Sequence, residues 1–331
     1  MGGKKISASF YQQRFKTRSE WSRLVGQIVS KTGFRAEEEF FTNVVYHQNR
    51  IGSFHIKGKF QGKPASLKIQ GIDPGSSEAS NIISFEKQNR SSLIRAPTVY
   101  KYQDYDPKSG FGYLIWEKID ARPLRQICRA DRDHLEEFLR FYQEFKSEAL
   151  NDSWIVPKEK TPLESAEGYV GVLEKIYQNA GTKVLTKLGY NYQIFGKRFL
   201  SLVKKHSSLW SREFTHGHLG PDDILIDREG KYIIFSHLYW GWYPIYYDFV
   251  FYFWALSLDK RRNSVDNLRA LYQLWFEAAR RFWGESFIPE AFELTVLDRL
   301  LGSILVQIGA TTSNPTPLLR ATISFFDELT Q

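Results

Sequence analysis

The segment from residue 216 to residue 223, His-Gly-His-Leu-Gly-Pro-Asp-Asp, concentrates side chains that can move protons or hold cations. A histidine such as His218 can act as a general base near neutral pH. Carboxylates such as those of Asp222 and Asp223 are ligands that Mg²⁺ takes in proteins. His216, His218 and His237 could also suggest a zinc site, but no matching second pair of ligands is evident. A Ser-His-Asp triad depends on distances that a sequence does not give.

Two short apolar runs follow this loop and must position it. Residues 224–226 are Ile-Leu-Ile, residues 232–235 are Tyr-Ile-Ile-Phe, and Asp-Arg-Glu-Gly lies between the runs. Gly230 can adopt a positive φ angle at no steric cost, as a tight turn requires. The pattern predicts a β-hairpin with the His/Asp-rich loop immediately before it.

This order of residues resembles the catalytic segment of the aminoglycoside phosphotransferase and choline kinase group, which has a protein-kinase-like fold. The pattern of that group is His-Gly-Asp-Leu-His-Pro-x-Asn-Ile-Leu, a hairpin, Ile-Asp-Trp/Phe, and a helix that begins near Tyr-Asp. The positions of this chain that agree with it are His216, Gly217, Leu219, Pro221, Ile224, Leu225 and Asp248.

Three positions depart from the pattern. His218 stands where the group has its catalytic Asp, Asp223 where it has an Asn metal ligand, and Ser236 where it has a second metal-binding Asp. A serine hydroxyl brings less charge to a cation than a carboxylate does, and adjacent Asp222 and Asp223 are expected to diverge. The resemblance therefore implies a kinase-like fold with weakened Mg²⁺ binding and a degenerate catalytic motif, and Asp248 as the anchor of the loop.

The first half of the chain changes from helical to strand periodicity. Residues 9–31 predict an amphipathic helix, and residues 40–47, 53–60 and 64–70 predict three strands. Gly52 and Ser53 lie in the predicted 47–53 turn, where the resemblance implies phosphate contacts, although an ordinary hairpin turn is the preferred interpretation. Lys68 lies on the third strand, where the resemblance implies contact with the nucleotide phosphates.

A helix is predicted over residues 76–91, capped by Ser76 or Ser77. The resemblance implies that a glutamate of this helix pairs with the strand lysine. Glu86 is the candidate and Glu78 the alternative, and either could instead be an ordinary surface residue. Strands are predicted over 96–100 and 112–119, and the resemblance implies that backbone groups near the end of the second bind adenine. The residues concerned are Trp116, Glu117, Lys118 and Ile119.

Helical periodicity dominates after Pro123, over residues 131–150, 165–178, 190–205, 264–283, 289–309 and 316–330. The aromatic run from residue 239 to residue 254 could form a cage for a quaternary ammonium group. Packing as core is the favoured interpretation. The chain is predicted to divide into a helical extension (1–37), a β-rich nucleotide-binding lobe (38–120) and a helical lobe (121–331) that contains the catalytic-like segment 214–250.

Composition limits the function classes. The chain has 331 residues, a net charge of +8 and one cysteine, which excludes internal disulfides and a cysteine-based zinc site. The longest apolar run, residues 249–256, is too short to span a bilayer. We expect a cytoplasmic protein without nucleic-acid or membrane partners.

The fold class predicted is α+β, a two-lobed protein-kinase-like fold. The favoured function is a catalytically impaired phosphotransferase homologue that still binds ATP or another nucleotide. The alternatives are an active ATP-dependent small-molecule kinase, and an interaction protein that has lost nucleotide binding. The acceptor, whether a small molecule or a protein partner, is not identified by the sequence.

Overall fold

The computed structural model describes residues 18–37, 41–45, 50–70, 73–180, 192–259, 263–310 and 316–331. The chain divides into two compact units. Unit 1 consists of Met1–Arg122, Ser147–Asn151 and Leu225–Leu238, and unit 2 of Pro123–Lys146, Asp152–Ile224 and Tyr239–Gln331. The hairpin strands therefore fall with the β-rich part of the chain, whereas the loop before them falls with the helical part.

Strands and helices are numbered in chain order. The strands are β1 (Phe34–Ala36), β2 (Phe41–Val45), β3 (Arg50–Phe60), β4 (Lys63–Gln70), β5 (Ile94–Arg95), β6 (Val99–Asp106), β7 (Phe111–Glu117), β8 (Ala121–Pro123), β9 (Arg212–Thr215), β10 (Ile224–Asp227), β11 (Tyr232–Ile234) and β12 (Gly241–Pro244). The helices are α1 (Arg18–Thr32), α2 (Glu78–Gln88), α3 (Leu124–Ile127), α4 (Asp131–Glu144), α5 (Pro162–Ala180), α6 (Tyr192–Lys205), α7 (Tyr247–Ser257), α8 (Val265–Trp283), α9 (Pro289–Ala310) and α10 (Pro317–Leu329).

An antiparallel sheet forms most of unit 1. Its strand order is β1-β3-β4-β7-β6, and β2 pairs with β3. Strand β4 alternates strictly, because Ala65, Leu67 and Ile69 are fully buried while the residues between them are partly exposed. This period of two places Lys68 on the face opposite Leu67 and Ile69, as predicted from the sequence. Helix α1 packs on the apolar face through Val25 and Ile28.

The first hairpin differs from the prediction in one detail. Gly52 and Ser53 do not form a turn but lie inside β3. The pairing register shifts there, since Asn43 faces Ser53 whereas Val44 faces Ile51, so that Gly52 is the extra residue of a β-bulge. Arg50 and Ile51 of the predicted turn also lie in β3. Residues 47–49 of that turn lie outside the described residues, as do residues 9–17, 40, 46 and 190–191 of other predicted elements.

A second sheet has the order β5-β11-β10-β8. Its hairpin β10–β11 is closed by a turn in which the Asp227 amide donates to the Lys231 carbonyl at 3.0 Å. Gly230 has a φ angle of +81°, as that turn requires. The predicted hairpin is therefore confirmed.

Aromatic side chains fill the core of unit 2. Phe138 of α4 lies 4.3 Å from Tyr252 of α7 and 5.4 Å from Trp275 of α8, measured between ring centroids. Phe249 contacts the same tryptophan at 5.0 Å. The part of the 239–254 aromatic run that lies in α7 is thus mostly core, as favoured, whereas Tyr239 before that helix is 45% exposed. Among the described helices, none combines the length and the apolar character needed to cross a bilayer.

Candidate functional site

A buried ion pair joins the main sheet of unit 1 to helix α2. Lys68 Nζ lies 2.5 Å from Glu78 Oε2, and both side chains are almost inaccessible. Glu78 opens α2 directly after Ser77, whose hydroxyl caps the helix by accepting the Ser80 amide at 3.1 Å. Each charge offsets the cost of burying the other, so the pair fixes the position of the lysine ammonium group.

The prediction that Glu86 pairs with Lys68 is therefore wrong, and the alternative partner, Glu78, is correct. Glu86 lies two turns further along α2, and its carboxylate accepts the Ala96 amide at 2.5 Å. Burial raises the pKa of Glu86, while the Ala96 hydrogen bond and the nearby charge of Arg95 oppose that rise. Glu86 thus connects α2 to the chain after β5.

A histidine that the sequence analysis missed lies beside the lysine. His55 of β3 faces Lys68 across the strand pair, and its Nε2 is 3.0 Å from the Ser53 hydroxyl. Burial, reinforced by the Lys68 charge, lowers the pKa of His55 to about 3. The ring is therefore neutral at physiological pH, and the charged partner of Glu78 beside it is Lys68. The cross-strand register that brings the two together is not visible in the sequence.

Two of the backbone amides predicted to lie near adenine already donate hydrogen bonds within unit 1. The amide of Glu117 donates to Thr98 O at 3.0 Å, and that of Lys118 donates to Pro64 O at 3.2 Å. The Trp116 side chain is buried and meets Phe235 edge-on at 6.0 Å. Of the backbone donors predicted at 116–119, those of Glu117 and Lys118 are thus used inside unit 1.

Ser236 follows the hairpin in a left-handed conformation, with a φ angle of +65°. The next residues are held by α2 and by Ser76, which lies two residues before that helix. Asn81 donates to the His237 carbonyl at 2.8 Å, and Ser76 donates to the Leu238 carbonyl at 2.8 Å. The segment at the second predicted metal position is therefore fixed by the helix that carries Glu78, and Ser236 itself offers a neutral hydroxyl.

In unit 2, Asp248 holds the loop that carries His218. One carboxylate oxygen accepts the His216 amide at 3.0 Å and the Thr215 hydroxyl, and the other accepts the Gly217 amide at 2.7 Å. Burial raises the pKa of Asp248 to about 6, although the three hydrogen bonds act in the opposite direction. Asp248 therefore holds the backbone of the loop, as the resemblance implies.

Two further residues shape the loop. His216 is fully buried, and its Nδ1 accepts the His218 amide at 3.2 Å. Gly217 has a φ angle of +78°, and a Cβ atom there would lie 2.5 Å from the Tyr239 carbonyl oxygen. The loop therefore requires glycine at this position for both conformation and space.

His218 and Asp223 form a pair. Nδ1 of the imidazole lies 3.0 Å from Asp223 Oδ2. The ring stacks on Tyr239 at 4.4 Å and contacts Phe251 at 4.6 Å, which fixes its plane. Gly220 permits this approach, because a Cβ atom there would lie 2.9 Å from Asp223 Oδ2. The carboxylate at the predicted metal-ligand position is thus hydrogen-bonded to the histidine at the predicted catalytic position.

The neighbouring Asp222 points elsewhere. Its carboxylate accepts Arg125 Nε at 2.7 Å, and the Arg125 amide donates to the Pro221 carbonyl at 2.9 Å. The two adjacent aspartates therefore diverge, as expected, and Asp222 does not add a second carboxylate beside Asp223.

The groups at and beside the predicted metal positions are two carboxylates and one hydroxyl. Magnesium in proteins usually takes one or two carboxylates. Asp223 already accepts a contact from His218, Asp222 is engaged by Arg125, and Ser236 has no carboxylate. In the described parts of the chain, no group of three or more His, Cys, Asp or Glu side chains is arranged to hold a metal ion.

Comparison by sequence gives no matching protein-family model and no matching curated protein. Comparison of structures gives clear likenesses. An aminoglycoside phosphotransferase, APH(4)-Ia, in a ternary complex with ADP and hygromycin B, matches with a TM-score of 0.62 at 10% identity, over 92% of this chain and 97% of that one.

Two small-molecule kinases are similar over nearly their whole length. Choline kinase LicA from Streptococcus pneumoniae matches with a TM-score of 0.56 at 11% identity, over 94% of this chain and 99% of that one. Amicoumacin kinase hAmiN, in complex with AMP-PNP, Ca²⁺ and Ami, matches with a TM-score of 0.54 at 12% identity, over 95% of this chain and 96% of that one. The predicted fold class is thereby confirmed: this chain has the two-lobed, protein-kinase-like α+β fold of the aminoglycoside phosphotransferase and choline kinase group.

Proposed function

We propose that this protein is a kinase-like protein that binds a nucleotide but transfers its γ-phosphoryl group very slowly or not at all. The observation that carries the proposal is the contact between His218 and Asp223, at 3.0 Å. It places an imidazole where the resemblance implies a catalytic carboxylate, and it engages the carboxylate at the metal-ligand position. The proposed ligands are therefore ATP or ADP, with weak dependence on Mg²⁺.

Nucleotide binding is supported by the Lys68–Glu78 pair. The pair fixes a cation on the sheet face opposite the apolar core, at the position where kinases contact the α- and β-phosphates. The structural neighbours with bound ADP or AMP-PNP share this fold. Acting through binding rather than catalysis, the protein would serve a small-molecule or protein partner.

Slow phosphoryl transfer is supported by the missing carboxylate charges at positions 218 and 236. Transition-state stabilisation by a single donor is worth about 3–4 kcal/mol in enzymes where it has been measured. His218 cannot replace the charge of a carboxylate, and Ser236 supplies no charge to a cation. Two such losses remove most of the catalytic rate.

The first test is nucleotide binding to the full chain. Saturating ADP at 100 times Kd raises the free energy of unfolding by about 2.7 kcal/mol, which a thermal shift measures with and without Mg²⁺. Lys68→Ala should remove most of the shift, whereas Lys59→Ala should not, because Lys59 is half exposed and pairs with the exposed Glu37. If no nucleotide shifts the wild type, the protein is an interaction protein instead.

The second test restores the missing acids. The double change His218→Asp with Ser236→Asp should make nucleotide binding depend on Mg²⁺, even when no acceptor is known. The matched control His218→Asn with Ser236→Asn introduces similar volume without charge. Equal Mg²⁺ dependence in both double variants would contradict the proposal.

An active phosphotransferase is the second candidate function, and one feature favours it. With Nδ1 held by Asp223, His218 Nε2 has no hydrogen-bond partner among the described residues, so the imidazole has the orientation of a general base. Ordinary rates of γ-phosphate transfer or hydrolysis in the wild type, abolished by His218→Ala and strongly reduced by Asp223→Asn, would establish this alternative.

A further inference from the structure

A buried arginine lies among aromatic rings in unit 2, on helix α9. The Arg299 guanidinium carbon is 4.7 Å from the centroid of the Tyr247 ring and 5.9 Å from that of Trp254. A third ring, that of Tyr169, lies at 5.8 Å, and the Tyr169 hydroxyl accepts Arg299 Nη2 at 3.2 Å. A guanidinium placed on ring faces keeps its positive charge inside the protein.

The arginine is linked to the loop that carries His218 by two routes of ring contacts. Tyr247, beneath the guanidinium, stacks on Tyr243 at 4.3 Å, and the Tyr243 hydroxyl donates to the Tyr239 carbonyl at 2.8 Å. Tyr239 is the residue that stacks on His218. On the other route, Tyr247 contacts Phe251 at 6.2 Å, and Phe251 contacts His218. Arg299 therefore belongs to the same aromatic layer as the imidazole.

The hydrogen bonds of Arg299 leave one nitrogen unused. Asp298 Oδ2 accepts Nε at 3.0 Å and Nη2 at 2.9 Å, so the carboxylate uses one oxygen and one side of the fork. Nη1 has no hydrogen-bond partner among the described residues. The Arg299 side chain keeps 15% of its surface exposed, whereas its ring neighbour Tyr247 is buried.

The surroundings keep this group charged and fixed. Burial alone would lower the pKa of Arg299, but the neighbouring Tyr247, Tyr169 and Asp298 raise it on balance. Gly302 makes the approach of Tyr169 possible, since a Cβ atom there would lie 2.3 Å from the Tyr169 hydroxyl. A side chain at 302 would therefore displace the Tyr169 hydroxyl, which accepts a hydrogen bond from Arg299.

A cationic ligand does not suit such a layer. The faces of Tyr247 and Trp254, which would attract an ammonium group, already bind the guanidinium. A fixed, charged nitrogen with a free donor suits an anion, and the flat Tyr239 and Tyr243 rings suit a flat apolar body.

We propose that Arg299 binds the anionic group, a carboxylate or a phosphate, of a small molecule whose flat apolar body lies on the tyrosines beside His218. This inference rests on the proposed function, because the molecule would occupy the place of an acceptor next to the residue at the catalytic position. It assigns to this chain an anionic ligand rather than a cation.

The test is calorimetric titration of the full chain, without nucleotide, with 4-hydroxybenzoate, phenyl phosphate, 4-hydroxybenzamide and choline. At least one of the two anions should bind, and the neutral amide should bind roughly 10- to 100-fold more weakly, the factor expected for a hydrogen bond to a charged group. Choline should not bind. Arg299→Met should remove the preference for the anion, whereas Arg280→Met, which removes an exposed arginine of α8, should keep it.

Three results would overturn the inference: equal affinity for the benzoate and the benzamide, tighter binding of choline, or no binding of either anion at millimolar concentration. If Arg299→Met does not fold, the wild-type comparison of acid with amide still decides. A parallel titration with ADP separates the two proposals. ADP binding without anion preference overturns the inference alone, and anion preference without ADP binding overturns the proposed function alone.

Discussion

Replacing Asp248 by asparagine should change the stability of the protein in a way that depends on pH. Asp248 is fully buried and accepts two backbone amides and one hydroxyl. Asparagine keeps one oxygen that can accept a hydrogen bond. At the other position it has an NH₂ group, which faces the N–H or O–H donor that the carboxylate oxygen had accepted. At pH 4, leaving the buried amide that this oxygen had accepted without an acceptor costs about 1–3 kcal/mol.

The pH dependence follows from the raised pKa of Asp248. Burial raises it from 3.8 to about 6 in the folded protein. Between these values the unfolded chain loses the proton and the folded chain keeps it, so the free energy of unfolding falls as pH rises. The fall amounts to about 3 kcal/mol between pH 4 and pH 7, at 1.36 kcal/mol for each pKa unit, and is complete above the folded pKa.

The assay is urea unfolding of the wild type and Asp248→Asn at several values between pH 4 and pH 7. Because asparagine does not titrate, the stability difference between the two proteins should shrink by about 3 kcal/mol as pH rises. Asp266→Asn is the matched control, since Asp266 occupies the same second position of helix α8 but is exposed. A stability difference between the two proteins that does not change with pH would refute the raised pKa of Asp248.

Three further predictions concern named packing and charge contacts. Gly217→Ala forces an unfavourable φ angle and a Cβ atom into a carbonyl oxygen, so the free energy of unfolding measured in urea should fall by about 1–3 kcal/mol. Trp275→Ala, in the fully buried aromatic core, should cost about 3–5 kcal/mol in the same assay. Lys68→Met leaves the Glu78 carboxylate buried without its partner and should cost about 3–5 kcal/mol, whereas adding Glu78→Gln should recover part of that loss. A double variant no more stable than Lys68→Met would contradict the assigned pairing.

Local patterns in the sequence predicted much of the fold. The hairpin β10–β11 was predictable because its turn residues and apolar runs act over a dozen residues. The face on which Lys68 lies was predictable because strands alternate with a period of two. The choice of Glu78 over Glu86 was not predictable, since it depends on where α2 begins relative to β4. The β-bulge at Gly52 was missed because a glycine next to a serine is equally typical of a turn.

The candidate site was predicted unevenly for the same reason. The residue types of the loop from 216 to 223 identified His218 and Asp223 as candidate site residues. Their contact depends on how the loop folds at Gly220, where a Cβ atom would be too close to Asp223, and the sequence does not show that fold. Arg299 lies 81 residues further along the chain than His218, and the ring contacts that connect them are tertiary. One signal was available: Asp298 and Arg299 are adjacent charges in the mainly apolar helix α9.

The interaction between His218 and Asp223 bears directly on what this site can do with a proton. A lone imidazole in place of a carboxylate would simply remove a base, but here Asp223 accepts Nδ1–H and fixes the tautomer in which Nε2 carries the lone pair. In the proposed function, Asp223 both orients the histidine and stands at the metal-ligand position. Basicity at His218 and affinity for Mg²⁺ would then compete for one side chain, and Asp223→Asn separates them. If the protein works by binding alone, this change should leave ADP affinity unaltered, whereas a transferase that depends on His218 should lose its rate.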